Sequence, residues 1–199
     1  MMVLPRFYPI FDDVSWLKQV LPLGVKLVQL RVKNKPEEEL LSQIAESKQL
    51  CDEHGAILIV NDHWKLAIAL KCDWVHLGQE DLDDADVGAI RAAGIKIGVS
   101  THDHAELERA LIIAPDYVAL GPIYPTATKK MSWQQQGLEK LTEWRRLIGT
   151  IPLIAIGGFT VERSRSAFDA GADVVSVVTD VTLSGNPEAR TREWLRAVQ

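Results

Sequence analysis

Apolar residues recur along this chain in two alternating rhythms: short continuous runs, then longer stretches in which they return every three or four residues. Short runs rich in Val and Ile, bounded by turn residues, read as buried strands, and the longer amphipathic stretches read as helices. Strands are predicted over Phe7–Phe11, Leu27–Arg31, Ile57–Val60, Trp74–Leu77, Ile95–Val99, Tyr117–Leu120, Leu153–Ile156 and Val174–Val178. Helices are predicted over Val14–Leu21, Pro36–His54, His63–Leu70, Ala85–Ala93, Gln136–Ile148, Val161–Ala170 and Pro187–Val198, with one more from Thr101 or Asp103 to just before Pro115. The second helix has Pro36 in its first turn, Glu37, Glu38 and Glu39 at the positive end of its dipole, and Gly55 to stop it.

Strands that alternate strictly with helices imply parallel pairing through right-handed crossovers. Eight such units in one domain spanning 1–199 predict an α/β fold, a closed (β/α)8 TIM barrel; a doubly wound open sheet is the competing arrangement. No linker or low-complexity tract divides the chain.

The stretch Val28-Gln29-Leu30-Arg31-Val32-Lys33 alternates apolar and polar residues. Gln29, Arg31 and Lys33 therefore share one face and Val28, Leu30 and Val32 the other. Three long donors, two of them cationic, suit a polyanion such as diphosphate, although a wet strand face has the same pattern. Barrel chemistry sits where strands end. The predicted strand ends carry Asn61-Asp62, Gly78-Gln79-Glu80-Asp81, Ser100-Thr101-His102, Gly157-Gly158 and Thr179-Asp180, so one rim collects groups for phosphate or a hard metal. Asp62 and Asp81 close consecutive strands, and two neighbouring carboxylates suit Mg²⁺; each also stands where it can cap the next helix. Gly157-Gly158 at a strand-to-helix turn allows backbone N–H groups to approach a phosphate. The long loop from Gly121 to Gln136 offers Thr126 and Thr128 as hydroxyl donors and Lys129 as a charge.

Other motifs read more plainly. His102-Asp103-His104 lacks the ligand count of a zinc site and reads as a helix start. His76 reads as a satisfied histidine within an apolar strand, and the tryptophans as packing or surface groups.

Hydrophobic residues make up 47% of the chain and charged residues 25%, ordinary values for a soluble globular protein. The net charge of -5 provides no bulk positive field for nucleic acid or an anionic membrane, so an anionic substrate has to be met locally. No apolar run approaches the roughly 20 residues that span a bilayer. Met1–Arg6 lacks the apolar core of a signal peptide. The two cysteines, Cys51 and Cys72, form no metal-like pair, and a reducing cytoplasm is the expected location.

Taken together, Gln29-Leu30-Arg31-Val32-Lys33, Asn61-Asp62, His76 to Asp81, Gly98-Val99-Ser100, Thr126-Ala127-Thr128-Lys129 and Ile156-Gly157-Gly158 resemble the thiamine phosphate synthase family, in order and spacing over nearly the whole chain. The resemblance implies a transferase. Gln29, Arg31, Lys33, Asn61, Ser100 and Lys129 would hold 4-amino-2-methyl-5-hydroxymethylpyrimidine diphosphate, with Arg31, Lys33, Ser100 and Lys129 acting in catalysis. Asp62 and Asp81 would hold Mg²⁺, and Thr126, Thr128, Gly158, Val178 and Thr179 would bind the phosphorylated thiazole. The thiazole nitrogen would displace diphosphate, leaving thiamine phosphate. The family usually has Ser where this chain has Thr179, which keeps the hydroxyl and adds a methyl. Two phosphorylated small molecules are thus the implied partners, and a homodimer stays open. A thiazole tautomerase of the same barrel family, with His102 or His104 moving protons, is one alternative; it usually lacks the Thr-x-Thr-Lys loop. A non-catalytic thiazole phosphate-binding regulator is another.

Overall fold

Each short apolar run becomes a strand, and the strands close on themselves. The computed structural model describes residues 3–126 and 134–199. Its strands are β1 (Phe7–Phe11), β2 (Leu27–Leu30), β3 (Ile57–Asn61), β4 (Trp74–Leu77), β5 (Lys96–Thr101), β6 (Tyr117–Leu120), β7 (Leu153–Ile156) and β8 (Val174–Val177). All neighbours are parallel, and β8 pairs with β1 to complete a barrel in sequence order. The open-sheet alternative is excluded.

Ten α-helices surround it among the described residues: α1 (Val14–Val20), α2 (Glu37–His54), α3 (Trp64–Ala69), α4 (Asp81–Asp84), α5 (Val87–Ala92), α6 (His104–Ile112), α7 (Gly137–Ile148), α8 (Ser164–Asp169), α9 (Thr179–Thr182) and α10 (Pro187–Ala197). Two of them, α4 and α9, are single turns directly after strands, too short to show a hydrophobic period. Pro36 precedes the first turn of α2 rather than lying within it, and Gly55 ends that helix with φ 57°. Of the two candidate starts for α6, Asp103 is the cap: its side chain accepts from the Glu106 N–H at 2.9 Å. Thr101 instead lies buried in β5, donating to the Ala119 carbonyl and accepting from Trp144 Nε1.

Strand alternation divides the apolar residues into two shells. Val28, Leu30 and Val32 face outward and join Ile44, Leu58, Val60, Leu141, Trp144 and Trp194 between sheet and helices. Tyr8, Leu27, Ile59, Trp74, Tyr117, Ile154 and Val174 fill the barrel axis. Cys51 and Cys72 are buried free thiols whose pKa values burial raises to about 12 and about 11. At the amino-terminal end of the barrel, Asp116 and Asp173 repeat one device. Each accepts a strand N–H at 2.8 Å, from Ile97 and Leu153 respectively, and each pairs with an arginine, Arg91 or Arg145.

Gly98 is where this interior is tightest. A Cβ there would lie 1.9 Å from Cζ of the Tyr117 ring. Gly98→Ala is expected to lower the free energy of unfolding by at least about 1–3 kcal/mol, the ordinary cost of overpacking, in urea denaturation. An unchanged midpoint would show that the ring yields freely.

Candidate active site at the carboxyl rim of the barrel

In five of the eight strands, the inward position two residues further on, at the rim, is polar. Leu27 gives way to Gln29, Ile59 to Asn61, Trp74 to His76, Gly98 to Ser100 and Val174 to Ser176. The register lines them up: Asn61 opposes His76, His76 opposes Gly98, and Ser176 opposes both Ile156 and Tyr8. Gln29, Asn61, His76 and Ser176 are buried, yet all five line a cavity of about 1080 Å³ opening at the rim. Drug-sized ligands occupy clefts of about 300–1,000 Å³, so there is room for two small substrates side by side.

The buried polar groups are joined. Gln29 Nε2 donates to the Tyr8 hydroxyl at 2.7 Å, and the Tyr8 and Tyr117 hydroxyls lie 3.1 Å apart. His76 Nδ1 lies 2.7 Å from the Tyr117 hydroxyl and its Nε2 2.8 Å from Ser100 Oγ. Burial drives the His76 pKa down to about 4, so the imidazole is neutral near pH 7. His76 is thus satisfied, as expected, but it also faces the cavity. Gln79 closes this side, its Nε2 donating to the Ser100 carbonyl at 2.7 Å.

Asn61 Nδ2 and Ser176 Oγ have no hydrogen-bond partner among the described residues although both residues are at least 96% buried. Unpaired buried polar groups are costly, and those lining a cavity point to an occupant that completes them.

On the β2–β4 side the cavity wall is charged. Lys33 Nζ donates to Asp62 Oδ2 at 2.6 Å, and Asp81 Oδ2 accepts from the Gly78 N–H at 3.0 Å. Asp62 has φ 61°, a left-handed conformation that a non-glycine residue adopts at a cost, so its carboxylate is held at the rim under strain. Burial pushes the Asp62 pKa up, but the Lys33 hydrogen bond and charge outweigh it and leave it below the usual range. Burial and the neighbouring Asp62 carboxylate push Asp81 the other way. Two close carboxylates, one driven toward its neutral form, are a repulsive pair that a divalent cation would relieve. That donor set fits Mg²⁺, which takes one or two protein carboxylates and fills its shell with water and substrate phosphate. No cluster of three or more His, Cys, Asp or Glu that could hold a metal by itself is present among the described residues. Neither aspartate is the residue that caps the next helix: His63 precedes α3, and Asp81 lies inside α4. Arg31 lines the cavity and has no carboxylate partner among the described residues.

The β6–β8 side is built on close backbone approach. Gly157 and Gly158 have φ of 98° and 68°. A Cβ at Gly157 would lie 2.6 Å from Pro122 Cα, and one at Gly158 2.6 Å from the Pro125 carbonyl oxygen. The β6 and β7 loops therefore touch through glycine, with the Tyr124 N–H donating to the Gly157 carbonyl at 3.0 Å. Thr126, Gly158, Val178 and Thr179 all line the cavity here.

Of the residues picked out from sequence, Gln29, Arg31, Lys33, Asn61, Asp62, Asp81, Ser100, Thr126, Gly158, Val178 and Thr179 thus converge on one cavity. Thr128 and Lys129 lie outside the described residues. Asp180 is not available: Arg190 grips it at 2.8 and 3.0 Å and Trp194 Nε1 donates to it at 2.7 Å. His102, which precedes the α6 cap and lines the cavity, pairs with Glu106, and His104, the first residue of α6, pairs with Glu143. Sequence reasoning did not single out Tyr8, Tyr117, Ser176, Trp16 or Leu183, of which the last three line the cavity. Strand alternation from Val174 does place Ser176 inward, but one serine in an apolar run draws no notice.

The family model described as thiamine monophosphate synthase matches residues 5–181. A thiamine-phosphate synthase from Rhizobium etli is 55% identical over 196 residues, covering 98% of this chain and 96% of that protein. Another from an Enterobacter species is 42% identical over 95% of this chain and 90% of its own. A solved structure titled thiamine phosphate pyrophosphorylase, from Pyrococcus furiosus, superposes with a TM-score of 0.86 at 28% identity, covering 97% of this chain and 95% of that one.

The unpaired Ser176 hydroxyl makes a prediction that needs no substrate. Ser176→Ala is expected to be as stable as the parent or more stable by up to about 1 kcal/mol, since an unmade hydrogen bond is removed. A lower thermal midpoint would show that the hydroxyl contributes to the fold itself.

Proposed function

This chain belongs to the thiamine monophosphate synthase family and is a transferase that forms thiamine phosphate, and we propose that the rim residues described above divide that reaction as follows. Gln29, Arg31, Lys33, Asn61 and Ser100, with Lys129 from the β6 loop, hold the pyrimidine diphosphate. Thr126, Thr128, Gly158, Val178 and Thr179 hold the thiazole phosphate. The observation that supports this division best is the asymmetry of the cavity wall: cations and a carboxylate pair on the β2–β4 side, glycine backbone and hydroxyls on the β6–β8 side.

The bond to be broken joins the pyrimidine methylene to diphosphate, and the bond formed joins that carbon to the thiazole nitrogen. As the carbon–oxygen bond lengthens, negative charge collects on the departing diphosphate. Arg31 and Lys33 stand where that charge grows, and groups that bind the transition state more tightly than the ground state accelerate the step. No side-chain nucleophile or base is required, which agrees with a neutral His76. Asp62 and Asp81 would hold Mg²⁺, whose contribution when bound is to neutralise diphosphate oxygens. Lys33 then has two roles: it holds Asp62 in its charged form and adds a cation to the same wall. Thr179 keeps a hydroxyl at the β8 end for the thiazole phosphate.

We also place the protein in the cytoplasm. Its two buried thiols are free, and no helix among the described residues is long and apolar enough to cross a membrane.

Incubation with both substrates, with and without Mg²⁺, tests the reading. Thiamine phosphate formed only with the metal supports it; thiazole tautomerised without any joining would favour the alternative enzyme. Arg31→Ala is expected to lower kcat by about 10²–10³, the usual loss when a preorganised charge-stabilising group is removed. Asp62→Ala should raise the Mg²⁺ concentration needed for half-maximal rate while circular dichroism stays unchanged; an identical Mg²⁺ titration would remove Asp62 from the metal site. Lys129→Ala should slow kcat more than it raises the KM for the thiazole, and parental turnover would show that this cation is dispensable.

A further inference from the structure

The polar groups in the barrel interior form a continuous line from Gln29 to Ser100. Gln29 Nε2 donates to the Tyr8 oxygen at 2.7 Å, and the Tyr8 and Tyr117 hydroxyls lie 3.1 Å apart, where either can donate. A line directed away from Gln29 has Tyr8 donating to Tyr117 and Tyr117 donating to His76 Nδ1 at 2.7 Å, which gives every hydroxyl hydrogen before Ser100 an acceptor. A neutral imidazole has one donor and one acceptor nitrogen. With Nδ1 accepting, the proton is on Nε2, which donates to Ser100 Oγ at 2.8 Å. The serine hydrogen is then the only one in the line without an internal acceptor, and Ser100 lines the cavity.

We propose that Tyr8, Tyr117 and His76 are positioning residues, forming a one-way hydrogen-bond relay from Gln29 that fixes the His76 tautomer and presents the Ser100 hydroxyl to the substrate as a donor. The inference rests on Ser100 being a substrate-binding group, as in the reading above. Such a donor selects an acceptor atom, either a ring nitrogen or a diphosphate oxygen.

Packing alone does not account for the line. Two phenols and an imidazole in a closed interior must be desolvated, and phenylalanine would fill the tyrosine positions equally well. The geometry instead serves the hydrogen bonds. Tyr117 stacks on His76 with ring centroids 5.6 Å apart and meets Tyr8 edge-on at 6.3 Å. The opposing strand omits a Cβ at Gly98, where one would strike the Tyr117 ring. Each ring nitrogen of the buried His76 meets a hydroxyl, so a ring that donated at both would destroy the direction.

Two measurements test the relay. In the full-length protein labelled with ¹⁵N-histidine, long-range ¹H–¹⁵N spectra at pH 8 are expected to show His76 protonated at Nε2 and bare at Nδ1. Tyr117→Phe should give a mixture of tautomers or the Nδ1–H form. Nδ1–H in the parent protein, or an unaltered Nε2–H in the variant, would overturn the proposal. This reading needs no substrate, so it stands apart from any failure of the proposed reaction. The second measurement is a double-mutant cycle. Tyr117→Phe should lower kcat/KM about tenfold in the parent and not at all in a Ser100→Ala background, because its effect passes through that hydroxyl. Losses that multiply in the double variant would show that Tyr117 acts independently of Ser100. Tyr8→Phe, read in the same two ways, serves if Tyr117→Phe melts early.

Discussion

In a closed barrel an inward side chain has no solvent face to turn to, and the site depends on that constraint. Strand alternation sends every second residue toward the axis, and closure turns that face into the only interior the strands share. Polar residues are tolerated there only where hydrogen bonds or an open mouth compensate them. The chain meets the condition by height. The lower inward positions are apolar apart from two tyrosine hydroxyls, and the next ones up, Gln29, Asn61, His76, Ser100 and Ser176, are polar and line the cavity. The same shift of two residues in five strands brings five polar groups to the cavity without any long loop.

In the proposed reading, anion recognition by a chain of net charge -5 follows from the same economy of placement. Coulomb interactions over several ångströms at a partly buried rim outweigh the screened charge of a distant surface. Two cations, Arg31 and Lys33, project from the end of one strand into a cavity whose opposite wall is largely backbone and hydroxyl. One of them is tied to Asp62, and Asp62 is itself held in a strained backbone conformation. The carboxylate pair would repel phosphate if left alone. In the proposed reading it is half of a site whose other half arrives with the substrate.

Much of this was legible from sequence, and for identifiable reasons. The strands β1, β4, β6 and β7 were placed to the residue, because four or five apolar residues between turn formers leave little freedom of boundary. The alternation Gln29, Arg31, Lys33 was visible, but its meaning was not: a wet strand face has the same pattern, and closure of the barrel decides between them. What stayed hidden has no period. The single-turn helices α4 and α9 are too short to show one, and their presence changes the roles of Asp81 and Asp180. Asp81 enters a turn and faces the cavity, whereas Asp180 is captured by Arg190 and Trp194 from the last helix. Local sequence assigns the same chemistry to both aspartates. Only the long-range partner separates them.

Tyr8 and Tyr117 were hidden for a different reason. Each sits in an apolar run where a tyrosine reads as one more core aromatic, and they are 109 positions apart. Their oxygens meet because β1 and β6 face each other across the axis, a relation that pairwise strand order does not reveal. Once they meet, the phenols cannot be neutral bystanders. Each has a single hydrogen to give, so a donor at one end of the line orients every member after it. A barrel interior that could have been filled with methyl groups and rings instead carries an orientation from β2 to β5, and Ser100 is where that orientation reaches the cavity.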